Sequence, residues 1–276
     1  MNINKRVLSL GAGTQSTDLL LRSLRGEMEH KPDYAIFADV GNEPKGVYKH
    51  LEWLINHVDK EYGFQIKVIS AGNIYQDAIE FISGNINRAD GMPLHIKSDD
   101  GSQAILNRQC TGYYKILPIR RFVKKHKQPG RFNKVELWLG ISYEESQRMK
   151  DPDVKWLIHR YPLVEKKIRR ADCIKNFKAH NIPVPYRSSC IICPYHSNDY
   201  WYWLYVTEPD SFESAVFLDD MIRDYPGIEN AQCYLHRSCR PLKEVIIDLA
   251  RQKELQKRQL SIFPELIDEC DGVCGS

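Results

Sequence analysis

Two groups of residues in this chain carry chemistry by type and spacing. The first is Ser9-Leu10-Gly11-Ala12-Gly13-Thr14-Gln15-Ser16-Thr17, where a short apolar run meets a turn of small residues and then an apolar, helix-like run. A strand that ends in such a turn and enters a helix leaves backbone N–H groups free at the positive end of the helix dipole, a setting that suits phosphate. Gly11 and Gly13 remove side chains where a phosphate must come close, and Ser16 and Thr17 add hydroxyl donors. The turn is not a Walker A loop, because no Gly-Lys-Ser/Thr follows, and it lacks the third glycine of a Rossmann fingerprint. Alone, a Gly-x-Gly turn serves equally well to seat a helix on a strand.

The second group is cysteine. Eight cysteines in a chain of 276 residues are read as metal or redox chemistry if the compartment is reducing. Cys190-Ile191-Ile192-Cys193-Pro194 has the spacing that brings two thiolates to one metal or cluster, with a thioredoxin-like redox pair as the rival. Cys110 and Cys173 are the expected further ligands, giving one four-thiolate site of Cys110, Cys173, Cys190 and Cys193. Zinc and a 4Fe-4S cluster use the same ligands, so both stay open. Cys233 and Cys239 read as packing residues, and His196 and His236 as hydrogen-bonded histidines. Cys270 and Cys274, near the end of the chain, suit a metal, a transient disulfide or a persulfide.

The elements that must position these residues follow from hydrophobic pattern. The runs 7–10, 34–38, 66–69 and 135–139 read as short buried strands, with helical patterns near 16–26, 46–62 and 74–82 between them. Alternating β and α units predict an α/β fold with a doubly wound parallel sheet, whose ligands sit beyond the carboxyl ends of the strands. Three segments fall there: the 11–17 turn, Asp39-Val40-Gly41-Asn42-Glu43, and Gly140-Ile141-Ser142-Tyr143-Glu144-Glu145. The polar stretch 83–109 reads as a lid, a binding loop or a disordered segment. From residue 152 the pattern turns irregular and aromatic, with helices near 170–180, 199–206 and 210–223. The expected division is a nucleotide-binding α/β domain over 1–150, a helical, cysteine-containing metal or cluster subdomain over 151–250, and a cysteine-tipped tail over 251–276.

Composition bounds the function. A net charge of +3 does not indicate a purely electrostatic nucleic-acid binder. Basic clusters do occur at 120–134 and 166–170, read either as solvated helix faces or as a surface for an anionic partner such as RNA or DNA. No segment is apolar enough to span a membrane and no signal-peptide core precedes the first strand, so a cytoplasmic protein is expected.

With these residues in place, the chain resembles the phosphoadenosine-phosphosulfate (PAPS) reductase family of the PP-loop ATP pyrophosphatases, which have the adenine nucleotide alpha hydrolase-like fold. Ser9–Ser16 resembles the family's Ser-x-Gly-Gly-x-Asp-Ser loop, Asp39-Val40-Gly41 its Asp-Thr-Gly stretch, Cys110…Lys115…Pro118 its Cys-Cys…Lys…Pro segment, and Gly140…Arg148 its Gly-x-Arg…Ser…Arg segment. Cys190 and Cys193 resemble its C-x-x-C, and Glu269-Cys270 its tail nucleophile. Three positions depart: Gln15 stands where Asp is usual, Thr111 replaces the second cysteine of a pair, and the tail carries Cys-x-x-x-Cys.

The resemblance implies an adenine nucleotide, ATP with Mg in one mechanism, held by Ser9, Gly11–Thr17, Asp39, Gly41, Gly140 and Ile141. In that mechanism Lys115, Arg120 and Arg148 offset charge as pyrophosphate leaves, and sulfur passes from a donor, through a cluster or tail persulfide, to an acceptor such as a nucleic acid. In a second, Cys270 attacks the sulfur of a sulfonucleotide and Cys274 resolves the intermediate, with a thioredoxin-like reductant. A nucleotide-binding regulatory module with a structural metal is the reading from outside enzymology.

Overall fold

The computed structural model describes residues 2–87, 91–126 and 133–262. The chain runs β1 (Asn2–Leu10), α1 (Thr14–Leu24), β2 (Tyr34–Asp39), α2 (Lys45–Tyr62), β3 (Ile66–Ser70), α3 (Ile74–Ile82), β4 (His95–Ser98) and β5 (Gln103–Ile105). A π-helical turn, Gly112–Ile116, leads into α4 (Leu117–His126), followed by β6 (Asn133–Leu139), β7 (Leu157–Arg160), α5 (Pro162–Glu165) and α6 (Arg170–Ala179). Then come α7 (Asn198–Thr207), α8 (Pro209–Met221), β8 (Ala231–Tyr234) and α9 (Leu242–Ile262).

These elements form two units. The first comprises Met1–Gly91 and Arg108–Ile191; the second comprises Met92–Asn107 and the chain from Ile192 on. The division therefore does not fall at residue 150. β7, α5 and α6 belong to the α/β unit, because β7 pairs with β6 and α6 packs on α1.

The first unit is an α/β structure around a five-stranded, all-parallel sheet in the order β3-β2-β1-β6-β7. Its inner strands are buried on both faces, which is why they read as unbroken apolar runs. Leu8, Leu10, Ala35 and Phe37 face one core with Leu19–Leu21 of α1, Leu51 and Leu54 of α2, and Phe177 of α6. Val7, Ile36, Ala38, Val135 and Leu137 face the other with Ile119 and Val123 of α4. Helices thus cover both faces, as doubly wound. The strand order reverses between β1 and β6, so the loops at the carboxyl ends of those two strands frame the switch-point crevice.

The second unit is mixed rather than purely helical. β4 is the centre of a three-stranded antiparallel sheet in the order β5-β4-β8, accompanied by α7, α8 and α9. The polar stretch read as a lid supplies two of those strands. Their exposure explains the difference: β4 is only partly covered and β5 is exposed throughout, so neither shows an apolar run. Asp219 of α8 is buried and accepts hydrogen bonds from the Leu235 N–H (2.7 Å), the Leu242 N–H (2.9 Å) and Arg223 (2.9 Å). It ties α8 to the chain after β8 and to the start of α9.

Candidate functional site

The 11–17 turn takes the shape its small residues allow. Ala12 adopts a left-handed backbone (φ +54°) with its methyl in the core, and Gly13 is the N-cap of α1. No side chain caps that helix, and helix geometry gives the N–H groups of Thr14, Gln15 and Ser16 no intrahelical carbonyl. Ser16 braces the turn: its Oγ accepts from the Gly11 N–H at 3.1 Å and donates to the Gly13 carbonyl at 3.4 Å. Thr17 does not present a donor to the mouth as expected. It is buried, with Oγ1 3.4 Å from Nε2 of His50, whose pKa burial pushes down to about 4. Thr14 is 1% exposed, and its hydroxyl is buried without a partner.

Gly140 explains how the β6 loop reaches this turn. A Cβ there would lie 2.7 Å from Ser16 Cα and 2.8 Å from Ser16 N, backbone atoms that cannot give way without moving the helix start. Beyond it, Ile141 is buried and Ser142 fully so. Glu145 then accepts from Gln15 Nε2 (3.0 Å), Ser142 Oγ (3.4 Å) and Arg148 Nη1 (2.6 Å). Arg170, at the start of α6, donates from Nη1 to Gln15 Oε1 (3.2 Å), and its backbone N–H donates to Glu144 (2.8 Å). Arg148 is thus linked to the 11–17 turn through Glu145 and Gln15. Arg170 stands there as well, from a helix expected to lie in another domain.

The β2 loop is held by its own side chains. Asp39 Oδ1 accepts from the Gly41 N–H and from the Tyr48 hydroxyl, each at 2.8 Å. Gly41 has φ +71°, and a Cβ on it would come to 2.8 Å from the side chain of Asn73, which donates to the Gly41 carbonyl and caps α3. Asn42 is nearly buried with Oδ1 unpartnered, while its carbonyl accepts from the Ile191 N–H at 2.8 Å.

Glu43 closes that candidate segment, but its partners come from remote parts of the sequence. Its side chain is 0% exposed and accepts from Lys115 Nζ at 3.0 Å and from Ser188 Oγ at 3.1 Å. Burial lowers the Lys115 pKa, but the attraction and hydrogen bond of Glu43 outweigh it and leave the ammonium above its ordinary value. Lys115 sits on the π-helical turn, whose Tyr114 is fixed by a 2.6 Å bond to Asp77. Lys115 is therefore anchored to a buried carboxylate, and Cys190 is close enough to add to its electrostatic environment.

The four-thiolate expectation is corrected at Cys173. That residue is 0% exposed in the core between α1 and α6 and hydrogen-bonds Asp18; burial, reinforced by Asp18, drives its thiol pKa far up. Among the described residues, no three His, Cys, Asp or Glu side chains stand together as a metal ion requires. The expected set of Cys110, Cys173, Cys190 and Cys193 is thus not assembled among the described residues. Cys190 belongs to the first unit and Cys193 to the second; Cys270 and Cys274 lie outside the described residues.

Two surface features complete the picture. A groove of about 280 Å³ at the carboxyl end of β3 is lined by Ser70, Pro118, Arg121, Phe122 and Lys125 among others, none of them acidic. Arg120, expected at the nucleotide, instead pairs with Asp153. No helix among the described residues is long and apolar enough to cross a membrane.

No protein-family model matches the chain, and no curated protein matches it. Among solved structures it is similar to the U34-tRNA thiolase NcsA from Methanococcus maripaludis with its 4Fe-4S cluster, at 13% identity and a TM-score of 0.40, over 92% of this chain and 73% of that one. At that distance the likeness assigns no residue a role.

Proposed function

We propose that the first unit is an enzyme of the PP-loop type, binding an adenine nucleotide at its switch point and transferring the adenylyl group to an acceptor for subsequent sulfur delivery. The observation that carries this reading is the uncapped start of α1. Its free N–H groups, the orphaned Thr14 hydroxyl and the Gly140 approach leave a cradle with donors and no acidic residue in the first turn of the helix. The phosphates rest there, with the β2 loop beside them.

The acceptor oxygen attacks the α-phosphorus, the α–β anhydride bond breaks, and pyrophosphate leaves with the bonding electrons. Arg148 and Lys115 are the cations that offset that charge, and Lys115 is held in place by Glu43. The terminal sulfur of a donor persulfide then displaces AMP from the activated acceptor, and a further thiol cleaves the resulting disulfide, leaving the sulfur on the acceptor and the donor sulfur in a disulfide with that thiol. The cationic, aromatic-lined groove at Arg121, Phe122 and Lys125 suits the phosphates and bases of a nucleic-acid acceptor.

One observation favours a second reading. Gln15 replaces the carboxylate that would hold a divalent cation on nucleotide phosphates, and its amide is engaged by Glu145 and Arg170. A sulfonucleotide needs no split anhydride between phosphates: a thiolate attacks its sulfur, the nucleotide phosphate leaves, and a second thiol releases sulfite and forms a disulfide.

The test is side-by-side assay of pyrophosphate release from ATP with an acceptor RNA and sulfite release from a sulfonucleotide with a dithiol reductant. Adenylyl transfer requires the first product and its loss in Gly140→Ala. Sulfite without pyrophosphate moves the function to reduction. Neither product, with no nucleotide bound, refutes both.

A further inference from the structure

The carboxylate of Glu145 occupies a place made for an anion. Its three donors come from three different segments: the first turn of α1, the loop after β6, and the short helical turn that follows. They comprise one amide, one hydroxyl and one guanidinium, a set that complements an oxyanion.

The orientation of the Gln15 amide is fixed by chemistry. A guanidinium only donates, so Oε1 faces Arg170 and the amide N–H groups face Glu145. Arg170 is thereby a positioning residue, itself held by the bond from its backbone N–H to Glu144. On the same turn of α1, the Thr14 hydroxyl is buried without a partner.

We propose that Gln15 Nε2, Ser142 Oγ and Arg148 Nη1 form a subsite for a tetrahedral oxyanion, a phosphate group of the nucleotide, and that Glu145 holds this subsite until the ligand displaces it. The proposal rests on the nucleotide reading of the α1 cradle. Two negative groups within one residue's breadth repel each other, so the carboxylate and the phosphate exclude one another there. The side chains are placed for exchange: Glu145 is 30% and Arg148 61% exposed, at the rim, whereas Ser142 is fully buried and stays. Gln15 then belongs to a cradle that selects anions by direct donors rather than through a carboxylate-held cation.

The test is calorimetric titration of the full-length protein with inorganic pyrophosphate, at low salt, in EDTA and again with Mg²⁺. Glu145→Gln keeps the shape and removes the charge, and pyrophosphate is expected to bind about tenfold tighter in EDTA, the gain shrinking as salt rises. Arg148→Met, at an exposed position, is expected to weaken binding at least about fivefold. Glu145→Gln binding no tighter than wild type, Arg148→Met binding as wild type, or a loss in Glu145→Gln seen only with Mg²⁺ overturns the proposal; the last makes Glu145 a cation ligand. In each of these cases wild type still binds pyrophosphate and the nucleotide reading stands. Absence of pyrophosphate and adenine-nucleotide binding in wild type and variants alike overturns both.

Discussion

Substituting Lys115 by Met isolates the Glu43 carboxylate. That side chain is wholly buried, and Lys115 at 3.0 Å is a cationic hydrogen-bond partner. Breaking a fully buried ion pair from one side costs about 3–5 kcal/mol, because the remaining charge keeps its desolvation penalty. Lys115 is 36% exposed, so water already screens its side of the pair, and the figure falls to about 2–3 kcal/mol. For a unit of this size that corresponds to a melting shift of about 5–10 °C.

The folded-state pKa of Lys115 is raised, so its contribution is complete below the unfolded lysine value and is lost only as pH rises through the still higher folded value. The wild-type advantage over Lys115→Met should therefore be constant from pH 7 to 9 and shrink in strong alkali. Adding Glu43→Gln to Lys115→Met removes the stranded charge and should restore more than half of the loss. Thermal unfolding by circular dichroism measures all three proteins. A Lys115→Met melting point within 1 °C of wild type, or a double variant as unstable as the single, refutes the account.

Three further outcomes follow from particular contacts. Gly140→Ala should displace the start of α1 and weaken pyrophosphate binding at least about tenfold by calorimetry, since the new Cβ meets Ser16 backbone. Cys173→Ala should destabilise by about 1–2 kcal/mol in thermal melts and leave any bound iron or zinc per chain unchanged; metal lost with this substitution restores Cys173 as a ligand. Asp219→Ala should lower stability by about 3 kcal/mol, read as an earlier unfolding transition, because two buried backbone N–H groups and Arg223 lose their acceptor.

The parallel sheet was legible because strands such as Tyr34–Asp39, buried on both faces, leave an unbroken apolar run. β7 left a weaker trace: only Leu157 of its four residues is fully buried, as befits an edge. The turn between β1 and α1 was legible from Gly11 and Gly13, but its wiring was not. The carboxylate beside Gln15 is Glu145, far along the chain, and the partners of Glu43 are equally remote. Cys173 was taken for a ligand by residue type. Its spacing held the correction: Cys173, Asn176 and Phe177 form the i, i+3, i+4 stripe of a buried helix face.

The path of the chain through the second unit has a consequence for its synthesis. β4 and β5 leave the ribosome inside the sequence of the first unit, yet His95 of β4 waits for Tyr234 of β8 to complete the sheet. A two-stranded hairpin with one fully exposed strand is marginal by itself in water. During translation the segment Met92–Asn107 therefore has no complete sheet to join until β8 (Ala231–Tyr234), near the far end of the chain, has emerged.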